Sequence, residues 1–166
     1  MDYEHFMEKA LDKARQALSL GEFPVGCVIV HEEQIIAAGS RTKTSGDYIN
    51  EIDHAEMVAL RNLADHKENK DNKKTTLFCT LEPCLMCLGA IVLTGISEII
   101  YAYEDIMGGG TKCDLATLSP LYKEHQLSIV PNILRGKSIE LLKTYFENPK
   151  HSYWKGSLLA EYTLNR

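Results

Sequence analysis

Apolar residues recur at helical spacing from the start of the chain. Phe6, Ala10, Leu11, Ala14, Ala17 and Leu18 fall three or four apart, which predicts an amphipathic helix over 3–20. Gly21 follows it, where a glycine closes a helix. VGCVIV (25–30) and QIIAAG (34–39) are β-rich runs separated by HEE and predict an antiparallel hairpin. The polar stretch SRTKTSGDYINEID (40–53) reads as a loop. Asp53 at its end is placed to cap a helix that starts near His54 and runs to about Asp65.

The charge run HKENKDNKK (66–74) reads as a solvated loop. TTLFCTL (75–81) predicts a third strand, CLMCLGAIVLTG (84–95) a short buried helix ending at Gly95, and SEIIYAY (97–103) a fourth strand. DIMGGGTKCD (105–114) reads as a flexible glycine-rich loop, and DLATLSPLYKEH (114–125) as a helix broken by Pro120. LSIVPNI (127–133) offers a fifth strand and GKSIELLKTYF (136–146) a helix. The remainder, 146–166, is expected to be a weakly amphipathic helical tail. Strands alternating with helices imply an α/β fold, a sheet covered on both faces. No repeat or second domain shows, so 1–166 reads as one domain.

Composition narrows the class. With 45% hydrophobic and 25% charged residues, the chain is expected to be globular rather than disordered. No apolar run approaches the roughly 20 residues that span a bilayer. MDYEHFMEKALDKA lacks the apolar centre of a secretory signal, so the expectation is a cytoplasmic protein without a membrane partner. Five cysteines in that setting favour a metal site or buried thiols over disulfides. A net charge of −5 disfavours a broad phosphate-gripping surface.

Chemistry enters with PCLMC (83–87) and HAEMVAL (54–60). Two cysteines three apart at the start of a helix can aim both sulfurs at one centre, and free first-turn N–H groups stabilise thiolates. One imidazole and two thiolates make three zinc ligands and leave the fourth tetrahedral position for water, the mark of a catalytic zinc. Zinc lowers the pKa of its water towards ~7. A carboxylate beside the metal can then carry protons to a ring nitrogen and a leaving amine. Glu56, two residues from His54, fits that role. A redox Cys-x-x-Cys would leave His54 and Glu56 unexplained. Cys79, Cys113 and His66 are spare candidates for a fourth ligand; packing is the better reading of Cys79 and Cys113, as it is of Cys27.

The His-x-Glu and Pro-Cys-x-x-Cys pair is the signature of zinc nucleobase deaminases. The chain strongly resembles the cytidine deaminase-like superfamily over roughly residues 3–147. FPVGCVIV, HAEMVAL and TLEPCLMCLGAI look most like bacterial tRNA adenosine deaminases and guanine and cytosine deaminases. The resemblance implies a three-layer α/β/α fold with a five-stranded mixed sheet, one Zn2+ per chain and a homodimer. It implies His54, Cys84 and Cys87 as zinc ligands and Glu56 as the proton shuttle. It also implies that Phe23, Pro24 and Val25 wall a flat base, although packing alone accounts for them nearly as well. Ser40, Ala55 and Asp105 join them as candidate substrate contacts. Tyr153 and Trp154 in the tail would close the pocket or meet a second subunit.

Two departures bear on the substrate. The tRNA-acting relatives carry glycine–aromatic–asparagine–arginine after the second strand, where this chain has Gly39–Ser40–Arg41. They carry aspartate–proline–threonine–alanine before the HAE motif, where it has Asn50–Glu51–Ile52–Asp53. Losing a pocket amide strands a polar atom of the substrate, at roughly 1–3 kcal/mol. With no dense basic run in the tail, the sequence favours a small aminoheterocycle, as free base or nucleoside, over tRNA. A tRNA wobble adenosine deaminase and a catalytically silent zinc-binding subunit are the alternatives.

Overall fold

A computed structural model describes residues 1–65 and 74–166; apart from Lys74, the charge run 66–74 lies outside the described residues. Helix α1 (Tyr3–Ser19) is capped by the Asp2 carboxylate, which accepts from the His5 N–H at 3.0 Å. It buries Phe6, Met7, Ala10, Leu11, Ala14 and Ala17, the face the spacing selects. Strands β1 (Gly26–His31) and β2 (Gln34–Ser40) form the hairpin. Glu32 and Glu33 both adopt positive φ at its turn, the geometry that matches strand twist. Then follow α2 (Ala55–Ala64), β3 (Thr75–Leu81), α3 (Leu85–Leu93) and β4 (Glu98–Tyr103).

With a fifth strand, β5 (Ser128–Val130), the sheet order is β2-β1-β3-β4-β5, with β1 antiparallel to both neighbours and the β3–β4 and β4–β5 pairs parallel. Central β3 is buried along its whole length. Alternation sorts the two faces. Val28, Val30, Phe78, Ile100 and Ala102 pack under α1. Cys27, Ile29, Leu77, Cys79 and Ile99 pack with Ala55, Ala59, Leu88 and Ile91 of α2 and α3. The result is an α/β/α arrangement with a mixed five-stranded sheet.

Two glycines let the layers touch. A Cβ on Gly26 would lie 2.1 Å from the Ala10 carbonyl oxygen in α1, and one on Gly39 would lie 2.3 Å from that of Ala55 in α2. These close approaches seat the first turn of α2 directly on the sheet.

The structure departs from the expectations in four places. Asp53 does not cap α2: its carboxylate bonds the Asn50 amide at 2.8 Å and pairs with Arg61 and Lys43, and His54 is the cap residue, its ring free for other work. Residues 114–125 form a single 3-10 turn at Leu115–Thr117 and a short α4 (Pro120–Lys123), with Pro120 starting the helix rather than breaking it. Strand β5 is only Ser128–Val130, ended by Pro131. After α5 (Arg135–Glu147) the tail turns before it becomes helical at α6 (Leu158–Leu164), with Trp154 and Gly156 both at positive φ. Among the described residues no helix is long and apolar enough to cross a membrane.

Candidate functional site

His54 is the cap residue of α2 and Cys84 that of α3, and neither side chain caps its own helix. Both are turned instead toward a common point, with Cys87 one turn into α3. The His54 Nδ1 and the Sγ atoms of Cys84 and Cys87 form a triangle with edges of 3.6, 3.6 and 3.6 Å. Ligands on a tetrahedral zinc with normal bond lengths stand roughly 3.6–3.8 Å apart, so the trio has the donor set and spacing for zinc. Among the described residues it is the one group of its kind. Cys79 is paired across the sheet with Cys27 and Cys113 lies in a loop, both outside the trio; His66 falls outside the described residues.

Electrostatics suit a cation. The neighbouring Cys87 thiol and the His54 imidazole hold the Cys84 thiol down at about 4. Cys87 is pushed far up by the Cys84 thiolate beside it and by burial, so a second negative charge there awaits a metal. Burial disfavours the charged form of His54, but Cys84 and the charge of Glu56 outweigh it and raise its pKa. Glu56 is 3% exposed, and burial raises its carboxyl above the ordinary range.

A cavity of about 100 Å³ opens beside the trio. Of the residues picked out by sequence, His54, Ala55, Glu56, Cys84, Phe23, Val25, Asp105, Tyr153 and Trp154 line it. Cys87 lies behind the wall, fully buried. Pro24 and Ser40 do not line it: the Val25 N–H donates to the Phe23 carbonyl at 2.8 Å, a three-residue turn with Pro24 at its apex, and Ser40 is the last residue of β2, one position before the lining Arg41. The Phe23 ring meets Tyr153 edge to face at 5.4 Å, joining the approach to β1 with the tail. Burial also raises the Asp105 carboxyl, against the bonds it accepts from the Gly108 and Met107 N–H groups.

Sequence reasoning passed over Arg41, Glu82 and Met107, which also line the cavity. Glu82 is 5% exposed and ties the glycine loop to the metal turn. Its carboxylate accepts from the Asp105 N–H at 3.1 Å, the Thr111 N–H at 3.2 Å and the Thr111 hydroxyl at 2.5 Å. Gly110 donates to the Pro83 carbonyl at 2.8 Å, and a Cβ there would lie 2.6 Å from the Leu85 nitrogen. The loop read as flexible is thus packed against the turn that carries Cys84. Loop 41–53 is fixed at its start as well: Thr44 donates to Glu22 through N–H and hydroxyl, and its hydroxyl accepts from the Phe23 N–H at 2.7 Å.

Fold and site together define a zinc-dependent hydrolytic deaminase. Residues 1–103 match the model of the cytidine and deoxycytidylate deaminase zinc-binding region, and the chain belongs to that family. The tRNA-specific adenosine deaminase of Streptococcus pyogenes serotype M18 (strain MGAS8232) is 34% identical over 142 residues, covering 86% of this chain and 88% of that protein. The tRNA-specific adenosine deaminase 2 of Xenopus tropicalis is 32% identical over 159 residues, covering 89% and 92%. Among solved structures, a tRNA:A34 deaminase studied for A-to-I editing at the wobble position superposes with a TM-score of 0.68 at 31% identity, over 83% of this chain and 99% of that one. Guanine deaminase from Nitrosomonas europaea superposes at 0.67 with 20% identity, over 86% and 83%, a likeness of fold. The family's zinc-binding region and the His–Cys–Cys trio make Zn2+ the cofactor, one ion per chain.

Proposed function

We propose that this chain deaminates adenosine within a tRNA, with His54, Cys84 and Cys87 holding zinc and Glu56 moving the protons. The observation that carries the substrate is similarity along most of both chains to proteins named tRNA-specific adenosine deaminases, at 34% and 32% identity. That similarity supports RNA over the free base that loop 40–53 favours in the sequence. The free base or nucleoside is the second reading, supported by the net charge of −5 and by a cavity roofed by the chain's own tail. A catalytically silent subunit is disfavoured, because Glu56 is buried and lines the cavity.

Zinc, when bound, supplies a Lewis acid that makes water nucleophilic near neutral pH. Glu56 does the rest of the proton work. Its carboxyl takes one proton from the attacking water and delivers it to the ring nitrogen next to the C–NH2 carbon. It then passes the second water proton to the departing amine, which leaves as ammonia while the ring carbon becomes a carbonyl. A carboxyl raised by burial suits both giving and taking near neutral pH. Phe23 and Val25 offer an apolar wall to the base, Asp105 an acceptor, and Trp154 an aromatic surface at the mouth.

A second copy of the chain is the proposed partner. Leu85 on α3 is 62% exposed and lines an apolar groove together with Leu88, Val92, Leu118 and Tyr122. Sedimentation equilibrium of the wild type and Leu85→Lys tests this, a monomeric wild type being the adverse result.

The deciding experiment compares ammonia release from an anticodon stem-loop carrying adenosine at the wobble position with release from adenine, guanine, cytosine and their nucleosides. Turnover of the stem-loop, lost on raising salt from ~50 to 200 mM, is the expected result. Turnover of a free base alone would replace it with the second reading.

A further inference from the structure

Among the described residues Arg41 is the one arginine or lysine that lines the cavity, and it is 3% exposed. Its Nη1 donates to the Asn50 carbonyl at 2.7 Å and the Thr42 carbonyl at 3.4 Å. Its Nη2 donates to the Glu51 carboxylate at 3.2 Å and the Tyr153 hydroxyl at 3.1 Å. The Tyr153 hydroxyl donates in turn to Glu51 at 2.7 Å, and its ring centroid lies 5.5 Å from the guanidinium carbon. These bonds use the four Nη hydrogens. Among the described residues the Nε–H has no protein acceptor. No buried side-chain nitrogen or oxygen among them lacks a partner, so this nitrogen retains some exposure, on a residue that is 3% exposed and lines the cavity.

We propose that Arg41 is a specificity-determining residue whose Nε–H donates to an acceptor atom of the base, other than the nitrogen protonated in the reaction. A guanidinium only donates. A base that presents a ring nitrogen or carbonyl oxygen there is accepted, and one that presents C–H or N–H leaves the donor unpaired. The Glu51 carboxylate balances the charge, so the pocket gains a donor without a net charge and suits a neutral ring rather than a phosphate. Glu51 and Tyr153 are positioning residues that fix the guanidinium plane. The inference rests on deamination of an aminoheterocycle and not on the tRNA context.

The test uses the zinc-loaded protein with stem-loops carrying adenosine, 7-deazaadenosine or 3-deazaadenosine at the target position. Each analogue replaces a ring acceptor with C–H at nearly constant shape. Wild type is expected to lose roughly 10- to 100-fold in kcat/KM on one of the two. Arg41→Leu is expected to lose activity on adenosine and to treat all three alike. Arg41→Lys, which keeps a cation but lacks the Nε donor, gives the same answer if the leucine variant does not fold. The Kd ratio for the corresponding free nucleosides, followed by fluorescence of the single tryptophan, Trp154, reads the same preference without turnover. Failure of all stem-loops with a preserved nucleoside ratio would remove the tRNA reading and leave Arg41 in place. Equal treatment of all three by wild type, or discrimination retained in both variants, would overturn the proposal.

Discussion

A Cβ added to Gly39 would lie 2.3 Å from the carbonyl oxygen of Ala55. Strand β2 and the first turn of α2 are therefore in backbone contact. Ala55 sits between His54 and Glu56, so this one approach sets the height of both groups above the sheet. Ala55 and Ala59 are fully buried, and a Cβ on Gly39 would also lie 2.6 Å from the Ala59 nitrogen.

Gly39→Ala should therefore disturb fold and site together. Overpacking of this kind costs about 1–3 kcal/mol, and a chain of this size loses roughly 2–4 °C in Tm per kcal/mol. Thermal melts and the zinc:protein ratio should both fall. Unchanged values in both would show that the contact does not position His54.

Glu56→Gln keeps the shape of the side chain and removes its ability to carry protons. The variant should retain one zinc per chain and a wild-type melt, while ammonia release drops by about 100-fold or more. Undiminished turnover would falsify the shuttle assignment.

Cys87→Ser should lower the zinc:protein ratio, and chelation of the wild type should lower its Tm, since a ligand bound only by the folded state stabilises it. Cys79→Ala serves as the control. Its thiol packs across the sheet opposite Cys27, outside the trio, so metal content should hold while stability falls modestly. Metal loss from the control and not from Cys87→Ser would reverse the ligand assignment.

Glu104, at the end of β4, accepts from the Arg135 Nε at 2.7 Å and from the Tyr162 hydroxyl at 2.8 Å, tying the sheet to α5 and α6. Arg135 pulls the Glu104 carboxyl from 4.5 down to about 2. The stability this contributes is whole above about 4.5 and fades as pH falls toward 2. The carboxylate is 26% exposed, so Glu104→Gln should cost under about 1 kcal/mol at pH 7. Urea unfolding at pH 7 and pH 3 should show the gap between variant and wild type narrowing in acid. A gap that widens would contradict the pairing.

Most of the layer order was legible because period and alternation are local. Helix α1, the hairpin and β3 each write their buried face in a few consecutive residues. The metal trio was legible because His54 and Cys84 each begin a helix and Cys87 sits one turn on. Long-range partners defeated the rest. Arg41 opens a polar loop and looks solvated; its burial depends on Tyr153, 112 positions away. Glu82 sits inside a recognised motif, but what it holds lies 23 and 29 positions downstream. The cap rule at Asp53 lost to Arg61 and Lys43, charges a local reading does not weigh.

The bond from the Tyr153 hydroxyl to Glu51 spans 102 positions and ties the two ends of the pocket wall together. It also divides the site along the chain: the His–Cys–Cys trio is complete in sequence at Cys87, whereas the cavity lining draws on Tyr153, Trp154 and Leu159. A chain cut short after α5 would keep all three members of the trio and lose this side of the cavity.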